Sequence, residues 1–449
     1  MSADGTELEN YSNTAKSRYT FTLTLCLIIL FILANIGMAW SEPPEIEGRT
    51  LNIEECVSIG LKSNPASEIS LQNLKAVQEK IGEAKGGYYP LFKLASFYTY
   101  TAQQSIMPIG PDAYDTRFFV RQTLFDAGAT KNLVESVKRS ISAQEYDVER
   151  TDSDIILNVK TAFYEVLKRR DLVDVSKASL KTAEKHLEQS KSLYKEGLAP
   201  RSDVIKSEVQ VSNARLDVIK AENALLAAKA NIAVAMGAPV TAGFDILHNK
   251  TAEAHSLPPL KDSLLLAYDL RPELKGSVAK IRSAEANIEQ ARSGLYPNIS
   301  LDASYGWQQG EFSPSDKKWS VGLTVGIPIF ERWIAQSRVN QAKAGRAGLK
   351  ATETQLMRNI EIDVEQAWLA LKEAEERFEV GKKALEQAEE DMRVSEGRYK
   401  EGIGNILEVI DAQTALTQAK ANYVVDLYDI SSSEARLDRA TGRSVKENR

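Results

Sequence analysis

Leu193-Tyr194-Lys195-Glu196-Gly197-Leu198-Ala199-Pro200-Arg201-Ser202-Asp203-Val204 separates two long helical patterns. Arg398-Tyr399-Lys400-Glu401-Gly402-Ile403-Gly404-Asn405-Ile406-Leu407-Glu408-Val409 separates two more. Gly197 and Gly402 supply the permissive backbone that ends a helix. Pro200 suits the first turn of the helix that follows, and Asn405 with Glu408 has the spacing of a capping box. Each stretch predicts the tip of a helical hairpin, and the tip occurs twice.

Working outward from the tips, Val166, Val173, Leu180, Leu187 and Tyr194 recur at seven-residue spacing, as do Leu371, Phe378, Leu385, Met392 and Tyr399. The return arms repeat it with Val204, Val211, Val218, Leu225 and Ile232, and with Val409, Leu416, Tyr423, Ile430 and Leu437. A second seam is small, with Ser207, Ala214, Ala221, Ala228 and Ala235 on one arm and Ala367, Ala374, Gly381, Ala388 and Ser395 on another. Heptads give coiled-coil packing, and small residues let neighbouring helices approach. Two seams per helix predict neighbours on two sides, as in a wall. An unbroken helix from Ala127 to Tyr194 would reach roughly 100 Å, far deeper than a bilayer.

Before each hairpin lies a strand pair. Leu91 to Thr101 reads as a strand with Phe92, Leu94, Tyr98 and Tyr100 on one face. A polar loop from Gln103 to Thr116 then leads to a strand from Arg117 to Phe125. In the second half Ile299, Leu301, Ala303, Tyr305 and Trp307 alternate with polar or small residues, as do Trp319, Val321, Leu323, Val325, Ile327 and Ile329. Strands of about 9–11 residues with one apolar face are what a membrane barrel needs. Trp307 and Trp319 stand where an interfacial aromatic girdle belongs. A soluble sandwich also alternates, so the strands alone leave both readings open. Four strands are too few to close, so the barrel reading requires several copies of the chain.

Pro272 follows Pro65, and Tyr296-Pro297 follows Tyr89-Pro90, at one constant offset, so the second half replays the first. The expected division is a leader over 1–39 and a first copy over 40–237, with strand pair 91–125 and hairpin 127–236. A connector over 238–271, irregular and proline-rich, leads to a second copy over 272–442. That copy holds a helix, strand pair 298–330 and hairpin 333–441, and a tail follows over 443–449. The leader places Lys16 and Arg18 before an apolar run and small residues at Gly37-Met38-Ala39, the pattern of a cleaved export signal, with a retained membrane anchor as the rival reading because the run is near the minimum spanning length.

The whole chain of 449 residues has 56 lysines and arginines against 62 acids, a net charge of −6 that leaves no nucleic-acid footprint. Its two cysteines, Cys26 and Cys56, give no disulfide framework, since Cys26 lies in the leader. His186, His248 and His255 are scattered, with His186 in a heptad helix among charges. No phosphate loop, metal cluster or catalytic constellation stands out, so neither an enzyme nor a cofactor is expected. The fold class expected is mainly α with a small β part: a long antiparallel coiled-coil α-barrel continued by a membrane β-barrel shared between protomers.

Taken together, the twofold repeat, the Tyr-Pro before each strand pair and the two tips resemble the TolC-type outer-membrane channel-tunnel family, over nearly all of the mature sequence. The resemblance implies a homotrimer whose strands make a 12-stranded barrel in outer-membrane lipid, with a helical tunnel in the periplasm. It implies partners at the tips, a periplasmic adaptor and an inner-membrane transporter of RND or ABC type, and the export of drugs, toxic solutes or proteins. Carried over residue by residue, the acids of the periplasmic mouth fall on Glu408 and Asp411, and the contacts that hold it shut on Ser202, Asp203 and Tyr399. A latch arginine falls on Gly404, so one closing arm is absent, and a second family arginine falls on Leu427; the resemblance then implies a closed state that is weaker here or is held by substitutes such as Arg398 or Arg201.

Each of these residues has a blander reading. Glu408 and Asp411 share a helix face and would give a ring of carboxylates in a trimer, yet Glu408 also suits plain capping. Gly197, Leu198, Gly402 and Ile403 are the adaptor-docking candidates, though hairpin geometry accounts for the glycines in part. Tyr194 and Tyr399 also read as heptad core. The rival functions are a periplasmic adaptor and a structural coiled-coil scaffold without a pore. Two hairpins with two strand pairs argue against the adaptor.

Overall fold

The computed structural model describes residues 46–100, 112–247, 257–309 and 317–443, all within one unit, Glu45–Arg449. The expected leader, His248, His255 and residues 444–449 lie outside the described residues. Eight helices are described: α1 (Ile53–Ser63), α2 (Pro65–Lys85), α3 (Ala129–Lys195), α4 (Arg201–Ala235), α5 (Leu260–Leu270), α6 (Pro272–Ser293), α7 (Arg332–Lys400) and α8 (Ile406–Thr441). The strands are β1 (Thr50–Leu51), β2 (Leu91–Tyr100), β3 (Asp112–Phe125), β4 (Asp245–Ile246), β5 (Asn298–Gln309) and β6 (Lys317–Gly326). Among the described residues no helix is long and apolar enough to cross a membrane.

The long helices α3 and α7, of 67 and 69 residues, each span roughly 100 Å. α3 packs against α4 and α8, and α8 against α7. Nearer the sheet α3 packs against α2 and α6, and α6 against α7. The wall therefore runs α4–α3–α8–α7 towards the tips and α2–α3–α6–α7 towards the sheet.

The short helices meet end to end, and this explains two glycines. Gly237, just past α4, has φ 72°, and a Cβ there would lie 2.3 Å from the Ser63 carbonyl oxygen. Gly442, past α8, has φ 79°, and a Cβ there would lie 3.0 Å from the Arg271 nitrogen. At the first joint Asn64 serves both helices: its Oδ1 accepts from the Ala66 N–H, and its Nδ2 donates to the Ala235 carbonyl at 2.8 Å. One side chain thus satisfies orphan groups at the start of α2 and the end of α4.

Around the first joint sits the main core. Val159, Val166 and Leu167 of α3 and Ile232 of α4 pack with Cys56 and Val57 of α1 and with Leu51 and Ile246 of the small β1–β4 parallel pair. Burial pushes the Cys56 thiol up to about 12, so it stays protonated and inert. α1 opens with a closed capping box, Asn52 and Glu55 bonding each other's backbone N–H.

Four expectations need correction. β3 begins at Asp112, not Arg117, because the ladder to β2 continues to the Tyr100–Asp112 pair and the Tyr98 and Tyr114 rings meet at 5.1 Å. The connector is not irregular throughout: it contributes β4 and α5, and α5 buries Ala267 against Ile360 and Val364 of α7. β6 stops at Gly326, so Ile327 and Ile329 lie beyond it; Pro328 between them has no N–H for a ladder. Tyr194 is 47% exposed and is not heptad core, whereas Tyr399 is buried.

The sheet order is β2-β3-β5-β6, antiparallel throughout, with one register shift near Thr123. Register puts Leu94, Phe118, Tyr305 and Trp319 in one cross-strand row, with Ala303 and Val321 beside it. The opposite face is polar over β5 and β6, where Asp302 receives hydrogen bonds from Arg121, Ser300 and Thr324 and Ser304 meets Ser320, while Leu91 and Phe97 of β2 and Phe119 of β3 share its parity. One continuous face is apolar across all four strands, and its side chains are largely exposed: Leu94 70%, Trp319 77%, Leu323 62%.

Candidate functional site

Both tips close by the same backbone device. The Gly197 N–H donates to the Tyr194 carbonyl and the Leu198 N–H to the Leu193 carbonyl; the Gly402 and Ile403 N–H groups do the same to Tyr399 and Arg398. This double bond past a left-handed residue is a Schellman motif, and Gly197 and Gly402 have φ of 75° and 74°. The motif turns the chain sharply enough to leave Leu198 and Ile403 at 72% and 73% exposure. The four docking candidates are thus surface groups of two matching tips.

The return arms start differently. Pro200 is the N-cap of α4, extended and without a side-chain cap, rather than its first helical residue. Asn405 caps α8 by accepting from the Leu407 N–H at 3.0 Å, and the expected box with Glu408 does not close. Glu408 instead lies 3.7 Å from Arg398 across the hairpin, with both side chains about half exposed. Such a pair contributes little to stability, so Glu408 is not held for capping.

Asp411 is exposed one turn on, and among the described residues it has no hydrogen-bond or ion-pair partner. Ile406, Val409 and Ala412 of the same helix are buried against Met392 and Tyr399, with Leu193 of the first hairpin packed alongside. Glu408 and Asp411 therefore form an exposed acidic stripe on the opposite side of α8 from its core. A single chain brings two carboxylates together, not a ring.

The latch residues do not meet one another directly. Ser202 donates to its neighbour Asp203 at 3.3 Å in an exposed position. Tyr399 places its hydroxyl 3.3 Å from Ser190 Oγ on α3, which lies 3.1 Å from Ser207 Oγ on α4. Ser207 donates in turn to the Asp203 carbonyl at 2.9 Å. The chain of hydroxyls ties the second hairpin to the first, so Asp203 is reached through its backbone and Ser202 is not reached. Ser190 escaped the sequence reading because a lone serine on a long helix carries no signal; Ser207 showed only as a small seam residue.

Gly404 explains its own identity. Its N–H donates to the Arg398 carbonyl at 2.9 Å, and a Cβ built on it would lie 2.9 Å from the Tyr399 nitrogen. The loop is folded too tightly onto the end of α7 for any side chain there. Leu427 is part of the main core's surroundings, not a cationic site. Arg398 does act near the tip, through Glu408; Arg201 is exposed.

Further up, the contact between hairpins carries polar pairs beside the apolar packing of Val424 and Tyr428 on α3. Ser179 meets Thr417 at 3.0 Å, and Tyr428 donates to Asp171 at 3.0 Å. Burial raises the Tyr428 phenol, and the neighbouring Asp171 charge raises it further. Lys168 lies 3.5 Å from Asp429 across the hairpins, and within the second hairpin Arg377 pairs with Asp426 and Asp429 at 2.9 Å.

At the second joint a charge network was invisible in the sequence. Arg271, 4% exposed, pairs with Glu273 at 3.0 Å and Asp363 at 3.1 Å; Arg439 pairs with Glu273 at 2.8 Å and Asp154 at 2.7 Å. Burial works against the charged form of Glu273, yet the Arg271 hydrogen bond and the two guanidinium charges outweigh it and hold the carboxyl below its ordinary value. The network joins α3, α6, α7 and α8 at one point. Among the described residues no cluster of His, Cys, Asp or Glu fits a metal ion.

Trp307 and Trp319 sit on the apolar face of the sheet near the ends of β5 and β6. Trp319 is freely exposed, and Trp307 is partly covered.

This architecture has known counterparts. A family model described as outer membrane efflux protein matches residues 59–238 and again 265–443. Outer membrane protein TolC of Escherichia coli strain K12 is 24% identical over 402 residues, covering 84% of this chain and 80% of that protein. Protein CyaE of Bordetella pertussis is 23% identical over 421 residues, covering 90% of this chain and 87% of that protein. The solved Campylobacter jejuni CmeC outer membrane channel superposes with a TM-score of 0.76 at 14% identity, over 91% of this chain and 94% of that one.

Proposed function

That the chain belongs to the outer membrane efflux protein family, a family of channels and not of enzymes, is the premise from which we propose its particular role. Three copies form one conduit, with the sheet as a third of a 12-stranded barrel in outer-membrane lipid and the helices as a third of a periplasmic tunnel. The conduit takes drugs, toxic solutes or proteins from an inner-membrane transporter and a periplasmic adaptor that engages the tips.

One observation carries this reading. A four-stranded sheet with an exposed apolar face and two open edges, β2 and β6, is continuous with helices roughly 100 Å long. An open edge is intolerable in lipid, and β6 of one copy pairing with β2 of the next removes every edge. The helical wall supports the same closure. α4 carries exposed Ile205, Val209, Leu216, Ile219 and Leu226 at heptad spacing on a wall edge, and α7 carries Ile362, Leu369, Val380 and Val394 on the other. A coiled-coil seam without a partner fits a neighbouring helix of another copy. The two copies of the domain plan, 40–237 and 272–442, supply matching halves of each protomer's wall and sheet.

At the tips, Leu198 and Ile403 beside Gly197 and Gly402 present the apolar contacts for the adaptor. Glu408 and Asp411 from each protomer ring the mouth and favour cations. Ser202, Asp203 and Tyr399 take part in holding it closed, Tyr399 through Ser190.

The test is conductance. Protein purified from outer membranes should run as a heat-modifiable trimer and carry ions across a planar bilayer. A monomer that never conducts would return the adaptor or scaffold reading.

A further inference from the structure

The seam between the two hairpins holds an imidazole that the channel reading does not use. His186 on α3 is 6% exposed, and neither ring nitrogen has a hydrogen-bond partner among the described residues. Its Nε2 lies 3.3 Å from Glu396 Oε1 on α7, outside hydrogen-bond geometry. One turn towards the tip, Ser190 meets Tyr399; two turns the other way, Ser179 meets Thr417. His186 therefore lies within the span over which the hairpins touch. Gln413 of α8, whose Nε2 donates to Thr417, also leaves its Oε1 buried and unpartnered. Two polar side chains left unsatisfied in one seam weaken it, since each lost hydrogen bond is expensive when buried.

The surroundings of the ring leave it nearly alone. α7 contributes Glu396, with 37% side-chain exposure, as the facing charge, and α3 itself contributes Lys185. α4 packs there with Ser207, Val211 and Ala214, none titratable, while its Glu208 and Arg215 pair at the surface with Lys191 and Glu184. α8 offers Ile410, Gln413 and Thr417, also uncharged.

We propose that His186 is a proton-operated release in the hairpin seam: neutral while the tips are packed together, and charged by acidification so that the seam parts and the mouth opens more readily. The proposal rests on the tips being the mouth of the conduit. In the packed state burial lowers the ring's pKa below its ordinary value of 6.5, and Glu396 offsets this only in part. For a base held below its ordinary pKa, the packed state is fully stable above that value. It loses stability as pH falls through 6.5 towards the lowered one, because the parted state binds the proton better. The relevant window is that of histidine.

The experiment uses the full-length protein in planar bilayers without adaptor, between about pH 7.5 and about pH 5.5. Current through the wild type should rise at least about threefold on acidification. His186→Gln should abolish the rise, Glu396→Gln should steepen it by removing the offsetting charge, and the double change His248→Gln with His255→Gln should leave it intact. Amide hydrogen exchange over residues 179–193, corrected for intrinsic rates, should quicken in acid for the wild type and not for His186→Gln. A wild type that conducts without an acid response, or a response that survives His186→Gln, overturns the inference while leaving the channel reading in place. A wild type that never conducts fails the channel reading instead. Should His186→Gln not assemble, Glu396→Gln decides: an unchanged response overturns the proposal.

Discussion

Leu323→Arg puts the lipid-facing reading of the sheet at risk. Leu323 is 62% exposed, pairs with Leu301, and lies between Val321 and Val325 on the apolar face. It stands four residues from Trp319, which at roughly 3.3 Å per residue is about 13 Å along the strand, or about 10 Å along a barrel axis for a usual tilt. With a tryptophan girdle at the edge of an apolar band about 25 Å tall, Leu323 falls near mid-bilayer. An arginine there costs about 2–4 kcal/mol, and three symmetry-related copies would bear it together. Thr324→Arg is the matched control. Its side chain is on the polar face, donating to Asp302 beside Arg121, and the new guanidinium would keep a carboxylate within reach. Folding into lipid vesicles from urea, followed by the heat-modifiable mobility shift, reads both. Leu323→Arg should move the midpoint strongly and Thr324→Arg little. Equal loss at both positions, or no loss at Leu323, would refute the assignment of the faces.

Asp411→Asn should weaken block by a multivalent cation added from the periplasmic side and reduce cation preference, with trimer stability unchanged. Glu408→Gln should do likewise and carry no capping cost, because its box does not close; Lys206→Ala, at the place in the first hairpin that Asp411 occupies in the second, is the control, and selectivity is read from reversal potentials. Arg271→Met should cost about 1.5–3 kcal/mol in thermal or denaturant unfolding, the scale of a lost charged hydrogen bond, since Glu273 keeps Arg439 as its remaining partner. Because the folded Glu273 carboxyl is held below its ordinary 4.5, the stability it contributes is present above that value and fades as pH falls through the folded one. A Glu273→Gln protein should show a flatter acid limb in the same measurement. Gly404→Ala and Gly402→Ala should both weaken adaptor binding at the second tip, the first through a Cβ 2.9 Å from backbone and the second through a left-handed φ costing about 1 kcal/mol. Ile403→Ala should weaken binding without loosening the loop, as judged by amide exchange.

Much of this protein was legible in one dimension because its elements are governed by local chemistry. Glycines past a heptad run specify a Schellman turn wherever they occur, and Pro65 and Pro272 start helices for the same reason in any context. Alternation in β5 and β6 reports the two faces of a sheet without knowledge of its partners. What lay beyond reach depends on residues far apart in the chain. The start of β3 at Asp112 was decided by pairing with Tyr100, and the order of the connector by packing of α5 on α7. Asn64 reads as an N-cap in sequence, but its bond to Ala235 exists only because α4 ends against it. Tyr194 and Tyr399 each open the same Tyr-Lys-Glu-Gly run, yet only Tyr399 meets a serine of the other hairpin. His186 likewise reads as one more polar residue on a charged helix, and becomes a buried ring beside Glu396 only when the tip end of the second hairpin lies against the first. Local propensity fixes turns, caps and periodicity over a few residues; which side chains face one another across a seam follows from how helices roughly 100 Å long pack, and no window of the sequence contains both partners.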